Sequence, residues 1–118
     1  MSMYLCSMYS KELIKGTLSA ILLKLLEDNG KMYGYQITQK VKELSGDKIL
    51  IKEGSLYPAL HKLNADDLID VENVSIGKRV RRYYTLTEKG KTEIEERVKE
   101  ISSFIETISK ILNIQNDK

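Results

Sequence analysis

Residues 52–63 carry side chains suited to binding nucleic acid, on a stretch whose spacing predicts one helix. Leu56, Leu60 and Leu63 lie at i, i+4 and i+7, so they share one apolar face. The hydroxyl, imidazole and ammonium groups lie off that face, on Ser55, Tyr57, His61 and Lys62. Such groups hydrogen-bond base edges or neutralise phosphates. We therefore predict that the leucines anchor this helix and that its N-terminal polar residues read DNA.

Pro58 is the only proline of the chain, and it predicts where this helix begins. Proline is tolerated in the first turn of a helix, where its missing N–H would have had no partner. Gly54 or Ser55 is then expected to be the N-cap, and the helix is expected to span about residues 54–66.

The remaining residue types give little support to catalysis or metal binding. The chain has one histidine, His61, and one cysteine, Cys6, so an intrachain disulfide and a cysteine-rich metal site are excluded. The sequence shows no glycine-rich phosphate loop and no nucleophile paired with a base. We predict a protein that is not an enzyme and that needs neither metal nor cofactor. His61 is expected to face solvent or DNA.

Composition indicates one globular domain. Of the 118 residues, 42% are hydrophobic and 31% are charged, which is ordinary for a folded protein. The net charge is only +2, so the placement of charge matters more than its total. No apolar run reaches the length of a membrane span, and the N-terminus lacks a signal-peptide pattern. We therefore expect a cytoplasmic protein.

The first predicted helix begins after Ser10, which is a suitable N-cap. Its apolar residues recur at spacings of three and four between residues 13 and 26. Residues 29–30, Asn-Gly, are expected to end it, because both accept the left-handed conformation of a helix C-terminus.

A second helix and a short strand are predicted before residue 52. Ile37, Val41 and Leu44 share one helical face, and the Ser-Gly pair after them ends the helix. Gly34, near the helix start, lets the backbone pass close to a neighbour. The β-branched residues 49–51 predict a short strand.

A cationic hairpin follows the candidate DNA-reading helix. Residues 68–74 and 80–86 predict two strands, with Val80, Tyr84 and Leu86 on one face of the second. Residues 75–79 form the turn. Four basic residues lie within five positions and no acid lies among them: Lys78, Arg79, Arg81 and Arg82. Such a hairpin tip suits the phosphate backbone or the minor groove of DNA.

A long helix is predicted over about residues 88–113, capped by Thr85 or Thr87. Its apolar residues follow an unbroken heptad seam, which favours packing against a second helix. The predicted dimer interface consists of Ile94, Val98, Ile101, Phe104, Ile105, Ile108 and Leu112. An intramolecular clasp is the alternative. Residues 1–9 are too apolar for a free tail and are expected to dock at the dimer interface.

The order of these elements predicts a mainly α fold with a small β-hairpin, a winged helix-turn-helix. We expect residues 10–87 to form the DNA-binding domain and residues 88–113 a C-terminal dimerisation helix. A two-fold dimer would place two recognition helices in adjacent major grooves, so the operator should be nearly palindromic.

The candidate DNA contacts lie on the second and third helices and on the hairpin. They are Tyr35, Gln36, Lys40, Lys52, Ser55, Tyr57, Pro58, His61, Lys62, Lys78, Arg79, Arg81 and Arg82. The tyrosines could instead be half-buried packing residues, and the lysines could be ordinary solvated side chains. Tyr83 and Tyr84 suit sheet packing better than base stacking.

Four segments resemble the PadR family of transcriptional regulators: residues 15–18, 32–37, 53–63 and 81–90. The resemblance covers about residues 11–92, and the single C-terminal helix is similar to that of the smaller members, which include multidrug-binding repressors. It implies a homodimeric repressor of a nearby gene, relieved by a small lipophilic or phenolic effector. The hydrophobic effector pocket would lie between the first and last helices of the dimer.

Two positions depart from the family pattern. Asp67 stands where the family usually has a glycine, so the turn after the third helix is expected to differ. Some multidrug-binding members stack drugs on a tryptophan of the terminal helix, whereas this chain has no tryptophan and Ile101 falls near that position. The alternative to a DNA-binding regulator is a winged-helix adaptor that binds proteins without touching DNA.

Overall fold

The computed structural model describes residues 8–115 and contains four helices and a three-stranded sheet within that range. The helices are α1 (Lys11–Asn29), α2 (Gly34–Leu44), α3 (Glu53–Ala65) and α4 (Glu88–Leu112). The strands are β1 (Met32–Tyr33), β2 (Ile69–Ile76) and β3 (Arg79–Leu86). This order is that of a winged helix, so the predicted mainly α fold with a small hairpin is confirmed. Residues 1–7 of the predicted N-terminal segment lie outside the described residues.

Two of the predicted helix caps are present. The Ser10 hydroxyl accepts a hydrogen bond from the Leu13 amide at 3.3 Å, which starts α1. Thr87, rather than Thr85, caps α4, since its hydroxyl accepts from the Gly90 amide at 2.9 Å. Each cap satisfies a backbone donor that has no partner inside the helix.

The predicted start of α3 was wrong. Its N-cap is Lys52, whose carbonyl accepts the amides of Ser55 and Leu56 at 2.9 Å each. Pro58 therefore lies inside the helix, one turn later than expected. Its missing donor leaves the Gly54 carbonyl without a helical partner, and that residue is exposed, so water can take the bond.

The predicted strand at residues 49–51 was also wrong. These residues form a loop, and Ile49 and Ile51 are half-buried against the core instead of pairing in a sheet. The third strand is β1, which pairs antiparallel with β3 through Met32 opposite Tyr84 and Tyr33 opposite Tyr83. The strand order is β1-β3-β2. A two-residue strand leaves no alternating pattern for sequence reasoning to detect.

The hairpin extends further from the core than the sequence pattern indicated. Strands β2 and β3 pair up to Ile76 opposite Arg79, so the turn is only Gly77 and Lys78. Gly77 has φ +62°, which a hairpin turn of this length requires and glycine adopts without strain. Tyr84 is 4% exposed but Val80 is 65% exposed, so the predicted apolar face is buried only at the base.

The core lies between α1, the leucine face of α3 and the base of the sheet. Its buried hydrophobic side chains are Leu18, Ala20, Leu22, Leu23, Leu25, Leu26, Met32, Ile37, Val41, Leu56, Leu60, Leu63, Leu68, Ile69, Tyr84 and Ile94. Leu44 was predicted on the buried face of α2, but it is 70% exposed because α2 ends there. No helix within residues 8–115 is long and apolar enough to cross a membrane.

The predicted seam of α4 divides into two parts. Ile94 is buried and Ile101 is partly buried against the protomer's own core, so Ile94 is not available to a second subunit. Arg97 adds a hydrogen bond to Ser19 of α1 and pairs with Glu93 at 2.7 Å. Beyond Arg97, most of the apolar face is exposed.

Candidate nucleic-acid interface

Helix α3 is fixed to the core by one face and leaves the other in solvent. Leu56, Leu60 and Leu63 are all buried, as their spacing predicted. The exposed residues include Ser55, Tyr57, Pro58, His61 and Lys62. The buried leucines define the orientation of the helix, so the outward direction of these polar residues is also defined.

A groove of about 510 Å³ lies between the N-terminus of α2, α3 and the hairpin. It is lined by Tyr33, Gly34, Tyr57, Ile76, Arg79, Val80, Arg81 and Arg82. Four of the sequence-predicted contacts thus meet on one concave surface: Tyr57, Arg79, Arg81 and Arg82. Concave cationic surfaces of this kind concentrate the potential that attracts phosphate.

A second groove, of about 540 Å³, separates α3 from the other side of the hairpin. Its lining is Tyr57, Pro58, Leu60, His61, Asn64, Val71, Asn73, Arg82 and Tyr84. Arg82 and Tyr57 line both grooves. The second groove brings His61 near a basic hairpin residue, although the two lie far apart in the chain.

The side chain of Tyr57 occupies the space that a side chain at position 34 would need. A Cβ built on Gly34 would overlap the Tyr57 hydroxyl and would lie 3.0 Å from the ring carbon that bears it. The prediction that Gly34 allows close approach is therefore confirmed, and the neighbour is the side chain of Tyr57. This contact links the start of α2 to α3 and holds the tyrosine between the two grooves.

The hairpin cations differ from the helix cations in their partners. Lys62 pairs with Asp66 at 3.4 Å and Lys40 pairs with Glu43 at 3.5 Å, so both are partly neutralised. Within residues 8–115, the positive groups of Lys78, Arg79 and Arg82 have no carboxylate within 4.0 Å. The hairpin therefore presents unneutralised positive charge, which suits counterion release on phosphate binding.

Arg81 lies against the ring of Tyr33 near the middle of the hairpin. Its guanidinium lies 4.0 Å from the centre of the Tyr33 ring, and Tyr33 packs edge-on against Tyr83 with centroids 5.4 Å apart. A side-chain hydrogen bond to Tyr83 raises the pKa of Arg81. Tyr84 is buried beneath, and this burial raises the pKa of its phenol. Tyr83 and Tyr84 thus pack in and against the sheet, as expected.

Other predicted contacts lie outside both grooves. The Gln36 side-chain oxygen accepts the Tyr33 amide at 3.0 Å, so this group caps α2 and is not free for a base. Tyr35 is 65% exposed on α2. Lys52 is exposed at the N-cap of α3.

Sequence reasoning missed Tyr33 and Asn73 as groove residues. Asn73 was placed in the first strand of the hairpin and Tyr33 in no predicted strand, and only the register of the sheet brings them beside Arg82 and Arg81, respectively. Metal binding has no evident site among residues 8–115, where no three His, Cys, Asp or Glu side chains cluster.

Comparison with known proteins identifies the family. Residues 22–96 match the model of the Transcriptional regulator PadR-like family. The chain belongs to this family. The PadR-like match includes β1, α2, α3 and the hairpin, which are the elements that line the two grooves.

Relatives within the PadR-like family share both sequence and fold. A transcriptional regulator from Mycobacterium tuberculosis is 34% identical over 80 residues, which cover 66% of this chain and 72% of that protein. The structure of a transcriptional regulator from Clostridium thermocellum has a TM-score of 0.79 at 27% identity, covering 86% of this chain and 96% of that chain. These relatives are transcriptional regulators, not enzymes.

Another PadR-like relative has a solved complex with nucleic acid. The Negative transcriptional regulator PadR of Bacillus subtilis is 34% identical over 68 residues, which cover 57% of this chain and 37% of that protein. A crystal structure of Bacillus subtilis PadR with operator DNA has a TM-score of 0.63 at 33% identity and covers 69% of this chain and 46% of that chain. The match with this chain therefore spans less than half of the length of that regulator.

The structure explains how Asp67 occupies a position where PadR-like proteins are expected to have glycine. Asp67 has φ +62°, in the left-handed region. Its amide bonds to the Asn64 carbonyl at 3.0 Å, and the Leu68 amide bonds to the Leu63 carbonyl at 2.9 Å. This pair of bonds is the Schellman motif, whose left-handed position glycine fits best. Aspartate therefore adopts here the left-handed conformation that glycine fits best.

Proposed function

We propose that this chain is a homodimeric, sequence-specific DNA-binding repressor. One observation carries the proposal: a helix fixed by three buried leucines exposes polar residues beside a hairpin whose cations lack carboxylate partners. Family membership supports transcriptional regulation. The Bacillus subtilis relative, a negative regulator with an operator complex, supports DNA binding and repression.

The two parts of the surface have different tasks in this proposal. Ser55, Tyr57 and His61 of α3 contact base edges in the major groove, because their donors and acceptors can distinguish base pairs. Lys78, Arg79 and Arg82 contact phosphates or the adjacent minor groove and supply most of the affinity. Lys40, Lys52 and Lys62 add backbone contacts at the margins, as does the exposed Tyr35, whereas Gln36 contributes to the structure of α2.

Dimerisation uses the exposed apolar face of α4. Val98, Phe104, Ile105 and Leu112 are between 46% and 61% exposed in the protomer. Leu13 of α1 is likewise 65% exposed. A contiguous apolar face of this kind is rare on a monomer. A second copy covers it by two-fold symmetry and sets the spacing of two α3 helices on a nearly palindromic site.

A small lipophilic or phenolic effector binds between the subunits and releases DNA in this proposal. Phe104, the one aromatic residue of α4, supplies the ring available on that helix for stacking. A phenolic acid added to the protein–DNA complex tests this part. Release of DNA by the wild type but not by Phe104→Ala supports the site, and no release at saturating compound rejects it.

The test of DNA binding uses the full chain and DNA from the region upstream of its own gene. A gel shift is expected to show a complex that excess random duplex does not compete away. His61→Ala is expected to reduce the discrimination between base pairs at the contacted position by about 1–3 kcal/mol. The affinity for random DNA should change little. Absence of any shift would reject the proposal in favour of a protein-binding adaptor.

A further inference from the structure

Three side chains near the middle of the hairpin form a cluster, Tyr33, Arg81 and Tyr83, which we call the aromatic clamp. The Arg81 guanidinium lies 4.0 Å from the centre of the Tyr33 ring, within the range of a cation–π interaction. The two rings meet edge-on at an interplanar angle of 81°. All three side chains are half-buried, whereas Arg79 and Arg82 are exposed.

The register of the sheet explains why these residues meet. Tyr33 of β1 lies directly opposite Tyr83 of β3. Arg81 is two residues from Tyr83 on the same strand, so it lies on the same face and is the diagonal neighbour of Tyr33. Strand β1 ends at Tyr33, so no further residue of β1 lies opposite Arg81. The ring of Tyr33 covers Arg81 instead.

The charges around the clamp leave the Arg81 guanidinium without a carboxylate partner. Glu72 lies opposite Tyr83 on β2, on the face that carries Arg81, and is the nearest acid by register. Lys31 binds that carboxylate at 2.8 Å and lies 5.7 Å from the Tyr83 ring. Since Glu72 is neutralised by Lys31, Arg81 has aromatic partners rather than a carboxylate. Its positive charge remains available on the wall of the first groove.

We propose that Tyr33 is a positioning residue that holds the Arg81 guanidinium in one orientation for a phosphate of bound DNA. This inference rests on the proposed DNA-binding function. A side chain held before binding loses less conformational freedom on contact than a mobile one such as Arg79. Arg81 thus provides a fixed contact that sets the angle of the hairpin on DNA, and Arg79 and Lys78 provide adaptable ones.

A double-mutant cycle on DNA binding tests the coupling. Tyr33→Leu removes the ring, and Tyr33→Phe is the matched control that keeps it. Tyr33→Leu is expected to weaken binding about 3- to 10-fold, and Tyr33→Phe less than about 2-fold. In an Arg81→Ala background, Tyr33→Leu should have no further effect. Independent, multiplying effects of the two substitutions would overturn the proposal.

A second variant tests the coupling if Tyr33→Leu disrupts the pairing of β1 with β3. Tyr83→Phe keeps both rings and removes only the phenol hydroxyl, which raises the pKa of Arg81. It is expected to weaken DNA binding about 2- to 5-fold in the wild-type background and not at all with Arg81→Ala. A loss that persists without Arg81 would assign the phenol a merely structural role.

Side-chain NMR of the free protein tests the clamp independently of the proposed DNA binding. The Arg81 Nε–Hε group should show a higher order parameter than that of Arg79, and Tyr33→Leu should lower it to the Arg79 value. Equal mobility of Arg79 and Arg81 in the wild type would overturn the clamp even if DNA binds. Ordered Arg81 without any DNA binding by the wild type would reject the proposed function and, with it, the positioning role.

Discussion

Asp67 adopts a left-handed backbone conformation at a position where the family is expected to have glycine. The α3 terminus needs a left-handed residue at this position, and Asp67 adopts it at φ +62°. Left-handed backbone costs a residue with a Cβ more than glycine, although aspartate tolerates it better than most. A carboxylate at a helix C-terminus is also opposed by the helix dipole.

Asp67→Gly is therefore expected to raise the free energy of unfolding by about 0.5–1 kcal/mol. Urea denaturation followed by circular dichroism measures this change. Gly46→Asp is the matched control, since Gly46 occupies the same position at the end of α2 with φ +63° and should lose stability when replaced. A loss of stability in Asp67→Gly would show that the carboxylate has a favourable partner instead.

Gly90 illustrates a glycine required by packing rather than by φ. A Cβ built there would overlap the Leu68 carbonyl oxygen and lie 2.8 Å from a Leu86 methyl carbon. Gly90→Ala is expected to lower the free energy of unfolding by about 1–3 kcal/mol, because a backbone carbonyl must shift. Thermal denaturation measures the effect.

Gly16→Ala provides the control for Gly90→Ala. Gly16 lies in α1, and no atom lies within 4 Å of a Cβ built on it. This substitution should raise stability by about 0.5–1 kcal/mol, because alanine favours helix more than glycine does. Opposite signs for the two substitutions support the packing argument, and equal effects would contradict it.

At the scale of elements, the proposed function assigns affinity to the hairpin and specificity to α3. Arg79 lies at the start of β3, exposed and without a carboxylate partner among residues 8–115. Arg79→Ala should weaken binding to all DNA sequences and lower the slope of log affinity against log salt by about one unit. Fluorescence anisotropy at several salt concentrations measures this slope.

Lys40→Ala gives the comparison for Arg79→Ala. Lys40 already pairs with Glu43 at 3.5 Å, so its removal should change the salt slope less. An unchanged slope in Arg79→Ala would show that the hairpin tip does not contact phosphate, and the proposed division of tasks would then be wrong.

At the scale of the whole molecule, α4 joins the protomer core to the proposed dimer interface. Ile94 is buried in the protomer, whereas Ile105 is 56% exposed. Ile105→Glu is therefore expected to convert the dimer to a monomer without loss of folded structure, because the charge is buried only in the dimer. Sedimentation equilibrium measures the mass, and circular dichroism checks the fold.

Ser103→Glu is the control for the dimer experiment. Ser103 is exposed on the same helix and lies about 200° around its axis from Ile105, away from the seam. It should leave the mass unchanged. If Ile105→Glu remains a dimer, the exposed face of α4 is not the interface.

The sequence by itself determined those features that depend on local spacing. Leu56, Leu60 and Leu63 share a face because the helical repeat places them there, and burial of that face follows from the hydrophobic effect. The same reasoning predicted Ser10 as a cap, the close approach at Gly34, and the unbroken cationic hairpin. Family membership was likewise evident from the motifs.

Only the tertiary structure decided which distant residues meet. The pairing of Tyr33 with Tyr83, and so the contact of Tyr33 with Arg81, depends on a two-residue strand too short to leave a periodic pattern. The start of α3 at Glu53 and the exposure of Val80 depend on how far each element extends from the core. Ile94 and Ile105 have the same residue type and lie on the same heptad seam, yet packing within the protomer buries the first and leaves the second exposed.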